Sequence, residues 1–218
     1  MSQIKACIFD LDGVIVDTAK YHYVAWRKMC LALGFDITEA QNELLKGVSR
    51  TTSLEILLKI GNVNLTDSEK NEQAEKKNNY YLKYIEAMDE SEILPGIVDF
   101  LKHLKQQNVL IALGSASKNA GLILEKVQLT HFFDAIIDGN AITHAKPNPE
   151  VFLKAAAALH QNPTDCLVFE DAQAGVEAAL NAGMKVVGIG TPELLGRAHL
   201  VTPNLVGYDL AGIEKAIF

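Results

Sequence analysis

Cysteine is scarce in this sequence, and Cys7, Cys30 and Cys166 stand far apart with no paired spacing. Cys7 and Cys166 lie inside short apolar runs, where a buried and unreactive thiol is expected. This pattern argues against a disulfide framework and against metal-binding or catalytic cysteines. A chain of 218 residues is long enough to bury a hydrophobic core without such crosslinks.

An excess of positive charge is also absent, because 20 basic residues stand against 27 acidic ones and the formal net charge is −7. Proteins that bind nucleic acids usually carry a basic excess, so no nucleic-acid partner is expected. No apolar run approaches the about 18 residues of a membrane helix, and the first run is short and ends in Asp10 and Asp12. We therefore expect a cytoplasmic protein with no secretory signal and no membrane segment.

Short apolar runs alternate with amphipathic segments along most of the chain. The runs are continuous, which is typical of strands covered on both faces in a parallel sheet. They predict five strands, at 5–11, 109–115, 135–138, 166–171 and 185–190. The segments between them carry apolar residues at helical spacing. This alternation indicates an α/β fold with a doubly wound (Rossmann-like) parallel sheet.

One interval breaks the alternation. Between the first and the second predicted strand the sequence contains helical patterns only, and the last of these begins at Thr66 with the spacing of a capping box. We interpret this interval as a helical cap domain inserted at residues 18–89. The α/β core domain, with the catalytic site, would then consist of residues 1–17 and 90–218.

Chemically active side chains follow four of the predicted strands. Ligands of open α/β sheets bind at the carboxyl ends of the strands, so we expect these side chains to meet. They are Asp10 and Asp12, Ser115, Lys146, and Glu170 with Asp171. Gathered carboxylates need a cation, and Mg²⁺ prefers oxygen ligands and accompanies phosphates. Because an ionised aspartate can attack phosphorus and lysine can bind phosphate oxygens, the pattern predicts Mg²⁺-dependent phosphoryl transfer.

The sequence resembles the haloacid dehalogenase superfamily in its four signature motifs. These are Asp10-Leu11-Asp12-Gly13-Val14-Ile15-Val16-Asp17-Thr18, Ser115, Lys146 and Glu170-Asp171. The resemblance implies that Asp10 is the nucleophile and a metal ligand. It implies that Asp12 is the general acid–base, with its backbone carbonyl also on the metal. The Glu170-Asp171 pair would complete the Mg²⁺ shell, and Ser115 and Lys146 would hold the transferring phosphoryl group.

The resemblance extends into the inserted segment and the loop after the second strand. It implies that a second, non-reacting phosphate is gripped by Arg50, Ser117, Lys118 and Asn119. It also implies that His22 and Thr18 couple cap closure to the position of Asp12. The further substrate-binding residues it implies are Trp26, Lys46, Gly47, Val48, Ser49 and Ala116. One departure is visible, since Ala172 stands where relatives commonly have serine. A hydroxyl near the metal ligands is therefore missing.

The Lys-Gly-Val-Ser-Arg stretch at 46–50 resembles a sugar-phosphate mutase branch of the superfamily. The resemblance implies interconversion of β-D-glucose 1-phosphate and glucose 6-phosphate through an aspartyl-phosphate and a bisphosphate. The alternative is a phosphatase that hydrolyses a small phosphorylated sugar with the same core. A phospho-accepting signalling domain is disfavoured. In such domains an acidic pair ends the first strand and the acceptor aspartate ends a later strand, whereas here the later strand ends in Glu170-Asp171 and a helical insertion follows the first strand. We expect a hexose phosphate as the small-molecule partner and a monomer, since the cap already covers the exposed end of the sheet.

Overall fold

The computed structural model describes residues 3–218, and its centre is a six-stranded parallel sheet. The strands are β1 (Ala6–Phe9), β2 (Leu110–Gly114), β3 (Ala135–Ile137), β4 (Cys166–Glu170), β5 (Lys185–Ile189) and β6 (Leu200–Thr202). Their spatial order is β3-β2-β1-β4-β5-β6. The chain thus winds outward from β1 in one direction and then in the other, as in Rossmann-like sheets. The predicted fold class is confirmed.

All five predicted strands are present, each within two residues of its predicted ends. The sixth, β6, is not predicted from the sequence. It contains three residues at the edge of the sheet, and a run this short carries no usable periodicity.

Ten α-helices surround the sheet in the described part of the chain. They are α1 (Ala19–Ala32), α2 (Glu39–Glu43), α3 (Arg50–Ile60), α4 (Asp67–Ile85), α5 (Ile97–Gln106), α6 (Ala120–Lys126), α7 (Glu150–Ala158), α8 (Gln173–Asn181), α9 (Pro192–Leu195) and α10 (Leu210–Ile217). Within residues 3–218, no helix combines the length and the apolar character needed to cross a bilayer. The predicted capping box is confirmed, since Thr66 and Glu69 exchange side-chain and backbone hydrogen bonds at the start of α4.

Both faces of the sheet are covered, and β1 shows how. Cys7 and Phe9 pack with α5, α6 and α10 in one apolar cluster, whereas Ala6 and Ile8 pack with α7 and α8 in a second. All four side chains are fully buried. Successive strand residues point to opposite faces, so a strand with both faces covered must be apolar throughout. This explains the continuous apolar runs of the sequence.

Helices α1 to α4 follow β1 in the chain and precede β2. They hold a third apolar cluster, with Trp26, Leu57 and Ala74 among its buried members. The C-terminal part of α4 packs differently, because Tyr81 and Ile85 belong to the cluster on the face of the sheet. The inserted helices therefore have apolar packing of their own and also a firm contact with the sheet layer.

The inserted helices begin and end at neighbouring extended segments. The backbone N–H of Asp17 donates to the carbonyl of Glu92 over 2.9 Å, and that of Leu94 donates to the carbonyl of Ile15 over 2.9 Å. The Tyr21 hydroxyl at the start of α1 donates to the Glu92 carboxylate. These bonds fix where α1 and α4 stand over the carboxyl ends of the strands.

Candidate active site

A cavity of about 1200 Å³ lies between the carboxyl ends of the strands and the inserted helices. Its wall contains all but two of the site residues predicted from the sequence. The exceptions are Thr18 and Glu170, which are fully buried and contact Asp12 and Lys146 from beside the cavity. The structure therefore brings the whole predicted set together.

Three carboxylates meet at the ends of β1 and β4. Asp10, Glu170 and Asp171 each offer an oxygen atom, and these atoms all lie within 4.8 Å of one another. The buried Nζ of Lys146 donates to Asp10 Oδ1 over 2.7 Å and to Glu170 Oε1 over 2.6 Å. Hard oxygen ligands at this spacing fit a small divalent cation. The residues present thus suit the metal-dependent chemistry that the sequence predicts.

Burial and neighbouring charges shift the pKa values of Asp10, Asp171 and Lys146. Burial raises the pKa of Asp10 to about 7, against the attraction of Lys146. It also raises the pKa of Asp171, and the Glu170 and Asp10 carboxylates add to that effect. Burial alone would lower the pKa of Lys146, but Asp10 and Glu170 outweigh it and raise that pKa. A bound cation would relieve the repulsion among the carboxylates.

Two glycines let the backbone approach the carboxylates closely. A Cβ atom on Gly175 in α8 would lie 1.7 Å from Glu170 Oε1, and one on Gly13 would lie 2.1 Å from Asp171 Oδ2. Gly13 also has φ = +79°, a conformation that favours glycine. Both positions therefore require glycine for the carboxylates to keep their places.

Asp12 faces a different set of groups from Asp10. Thr18 Oγ1 donates a hydrogen bond to Asp12 Oδ1, and His22 Nε2 lies 3.6 Å from the same oxygen. Burial raises the pKa of Asp12, but His22 and Thr18 oppose this and the net effect lowers it. Asp12 is thus an ionised carboxylate, ready to accept a proton at the cavity wall.

Lys77 on α4 is a cavity residue that sequence reasoning misses. Its Nζ lies 3.0 Å from His22 Nδ1 and over the rings of Trp26, at 4.7 Å, and Tyr81, at 4.5 Å. Burial lowers the pKa of Lys77 to about 7, and repulsion from Arg50 adds to this. The Lys77 amine and His22 Nδ1 share this hydrogen bond, and the other ring nitrogen of His22, Nε2, faces the Asp12 carboxylate.

The signal for Lys77 is its place in the helical pattern. It stands three residues after Ala74 and four before Tyr81, on the buried stripe of an otherwise polar helix. Lysine is almost never fully buried unless it has a partner, so a lysine in such a stripe indicates a functional or paired group.

Cationic and amide donors gather at another part of the cavity wall. Arg50, at the start of α3, donates from Nη2 to Asn78 Oδ1 over 2.8 Å, and Asn119 Nδ2 donates to the same oxygen over 3.0 Å. Ser117 and Lys118 line the cavity beside them. Guanidinium, ammonium, hydroxyl and amide groups together form a set that binds phosphate oxygens. Asn78 is another cavity residue that the sequence pattern does not reveal.

The loop between α2 and α3 reaches the carboxylate cluster from the side of the insertion. Lys46 Nζ lies 2.9 Å from Glu43 Oε2 and 3.5 Å from Asp171 Oδ2. A Cβ atom on Gly47 would lie 2.9 Å from the Cβ atom of Ala172. The alanine that departs from the usual pattern is therefore in contact with the inserted segment.

The chain belongs to the haloacid dehalogenase-like hydrolase family, whose model matches residues 4–183. Within this family it is similar to β-phosphoglucomutases. It is 42% identical over 200 residues to β-phosphoglucomutase of Bacillus subtilis (strain 168), and the aligned residues cover 91% of this chain and 88% of the relative. The resemblance inferred from the sequence motifs is confirmed.

Two further relatives extend the comparison. The crystal structure of β-phosphoglucomutase from Clostridium difficile superposes with a TM-score of 0.94 at 44% identity and covers 98% of this chain and 97% of that one. A fructose-1-phosphate phosphatase of Escherichia coli (strain K12) is 32% identical over 185 residues, 84% of this chain and 94% of the relative. The relatives thus include both mutases and phosphatases. The sequence identity of this chain is higher to the two β-phosphoglucomutases than to the fructose-1-phosphate phosphatase.

Proposed function

We propose that the protein is a Mg²⁺-dependent mutase that interconverts β-D-glucose 1-phosphate and glucose 6-phosphate. One observation carries this proposal: a single cavity holds a carboxylate cluster for phosphoryl transfer and a separate set of phosphate-binding donors that includes Arg50. A phosphatase needs only the first set. A mutase must hold one phosphate while the other reacts, and it therefore needs both.

The division of labour follows the two parts of the chain. Residues 1–17 and 90–218 form the catalytic core, and residues 18–89 form a cap that closes over the substrate and excludes water. All of the proposed site residues come from one chain, so one copy of the chain holds a complete site. The cap covers the exposed end of the sheet, and we therefore propose a monomer.

The metal would be held by Asp10, Glu170 and Asp171, with the backbone carbonyl of Asp12. When bound, Mg²⁺ supplies positive charge that offsets the charge of the carboxylates and of the phosphoryl oxygens. Lys146 adds a fixed cation to the same place, and with Ser115 it holds the transferring phosphoryl group.

In the first transfer, the enzyme carries the phosphoryl group on Asp10. The 6-hydroxyl of β-glucose 1-phosphate attacks phosphorus, and the ionised Asp12 takes the hydroxyl proton as the new oxygen–phosphorus bond forms. The bond between phosphorus and Asp10 breaks, which frees that carboxylate and produces β-glucose 1,6-bisphosphate. Thr18 and His22 position Asp12 for this step.

In the second transfer, the bisphosphate has turned so that its C1 phosphate faces Asp10. The Asp10 carboxylate attacks this phosphorus, and Asp12 returns its proton to the departing C1 oxygen. Glucose 6-phosphate leaves and Asp10 is phosphorylated again. In both orientations Arg50, Ser117, Lys118 and Asn119 hold the phosphate that does not react, which fixes the reacting one in line. The other predicted binding residues, Trp26, Lys46, Gly47, Val48, Ser49 and Ala116, contact the sugar phosphate.

The test compares the products of the wild type and of Arg50→Ala. Wild-type protein with Mg²⁺, β-glucose 1-phosphate and a trace of bisphosphate should produce glucose 6-phosphate rather than free phosphate. A hydrogen bond to a charged group contributes about 1.5–3 kcal/mol, so Arg50→Ala should slow this conversion by about 10–150-fold. Hydrolysis of acetyl phosphate, which has no second phosphate, should change little. Arg197→Ala, an exposed arginine of the core, is the control.

Two outcomes would count against the mutase. Release of free phosphate as the main wild-type product would identify a sugar-phosphate phosphatase instead. Equal losses of Arg50→Ala in both assays would mean that Arg50 serves the fold or the core chemistry rather than a second phosphate.

A further inference from the structure

Asn78 joins the inserted helices to the core beside the phosphate-binding donors. Its Oδ1 atom accepts hydrogen bonds from Arg50 Nη2 at 2.8 Å and from Asn119 Nδ2 at 3.0 Å. A guanidinium has donors only, so the oxygen of the Asn78 amide, and not its nitrogen, must face Arg50. The Asn78 side chain on α4 therefore binds Arg50 of α3 and Asn119 at the start of α6 through the same oxygen atom.

The partner of the Arg50 guanidinium is a neutral amide. A carboxylate at that position would form a charge-assisted pair and cancel the positive charge that faces the cavity. The Asn78 amide fixes the direction of the guanidinium and leaves its charge available to an anion. Burial lowers the pKa of Arg50, and the exposed Glu75 carboxylate opposes this only in part. The guanidinium therefore lies in a region of lower dielectric than bulk water, where it attracts an anion more strongly.

We propose that Asn78 is a positioning residue for the second, non-reacting phosphate of the substrate. This rests on the proposed function. Asn78 sets Arg50 and Asn119 within reach of the same phosphate group, and its neutrality makes the cavity selective for sugar phosphates with a dianionic group remote from the reacting one. The chain carries a matched control next to it, because Asn79 is exposed on the same helix.

The experiment compares Asn78→Asp, Asn78→Ala and Asn79→Asp. Calorimetry measures the affinity of each for glucose 6-phosphate in the presence of Mg²⁺, acetyl phosphate hydrolysis measures the core chemistry, and thermal unfolding measures stability. Loss of the hydrogen bonds that orient Arg50 and Asn119 should weaken binding about 3–10-fold in Asn78→Ala, and neutralisation of Arg50 should weaken it about 10–100-fold in Asn78→Asp. In the two Asn78 variants acetyl phosphate hydrolysis should change much less than the affinity does, and Asn79→Asp should match the wild type in both measurements.

Stability separates positioning from a structural role. Asn78→Asp gains an ion pair with Arg50, so its unfolding temperature should equal or exceed that of the wild type while its affinity falls. The proposal is overturned if Asn78→Asp binds glucose 6-phosphate as well as Asn78→Ala or Asn79→Asp does, or if hydrolysis of acetyl phosphate falls in parallel with binding. The affinity measurement needs no turnover, so it tests Asn78 even if the wild type proves to be a phosphatase.

Discussion

The Lys146 ammonium lies 2.7 Å from Asp10 Oδ1, and both groups are buried. The proposed nucleophile is therefore held by a fixed cation of the protein itself. Lys146 reaches this position from the loop after β3, whereas Asp10 follows β1, so the contact joins parts of the chain that are far apart in sequence. It places a positive charge where the transferring phosphoryl oxygens would lie.

We expect Lys146→Met to destabilise the protein and to make its stability more dependent on Mg²⁺. Removing one partner of a buried ion pair typically costs about 3–5 kcal/mol, because the remaining carboxylates lose their compensation. Urea unfolding with and without Mg²⁺ measures both effects. Lys154→Met removes an exposed ion pair with Glu150 and should change little. Equal Mg²⁺ responses in the wild type and Lys146→Met would contradict this account.

Gly175→Ala should disrupt the metal site although it places a better helix former in α8. The new Cβ would lie 1.7 Å from Glu170 Oε1, so the Glu170 carboxylate must move. The increase in unfolding temperature on addition of Mg²⁺ should shrink or vanish. Gly121→Ala in α6 meets no atom within 4 Å and should stabilise the protein by about 0.5–1 kcal/mol with a normal Mg²⁺ response. An unchanged Mg²⁺ response in Gly175→Ala would remove Glu170 from the metal site.

Lys77 should make folding stability depend on pH. Its pKa is about 7 in the folded protein and has its ordinary value of 10.5 in the unfolded chain. Between these values the unfolded chain binds more protons, so the free energy of unfolding rises with pH, by about 1.4 kcal/mol per unit at most. Lys77→Met lacks this contribution, and its stability relative to the wild type should fall as pH increases from 7 to 10.

The exposed neighbour on the same helix provides the control for that measurement. Lys76 pairs with Glu72 at the surface, and Lys76→Met should follow the wild-type pH dependence over the range from 7 to 10. Parallel curves for the wild type and Lys77→Met would show that Lys77 keeps an ordinary pKa and is accessible to water.

Most of the fold is predictable from the sequence, because its main strands are covered on both faces. The run from Cys166 to Phe169 is apolar throughout and fully buried, and it ends directly in the carboxylates of the site. The edge strand β6 has no comparable signal, since it is short and only partly buried. Its place depends on hydrogen bonds to β5, which a pattern within the segment does not encode.

The candidate site likewise has residues that can be predicted from the sequence and residues that cannot. The strand-end residues are recognisable because the topology of parallel sheets brings strand ends together, so Asp10 and Lys146 can be placed from sequence alone. Lys77 and Asn78 cannot, because their position depends on how α4 lies across the cavity. The sequence gives a signal for Lys77, because a lysine stands there in an apolar stripe of the helix. It gives none for Asn78, since an asparagine in a polar helix has no distinctive pattern.

In the proposed mutase reaction the phosphoryl group passes from Asp10 to a sugar hydroxyl and not to water. The most direct test runs the reaction in water enriched in ¹⁸O, with Mg²⁺, β-glucose 1-phosphate and a trace of bisphosphate, and analyses the products by mass spectrometry. A mutase should produce glucose 6-phosphate whose phosphate carries no ¹⁸O, since no water oxygen enters either transfer. Inorganic phosphate that carries ¹⁸O as the main product would contradict it.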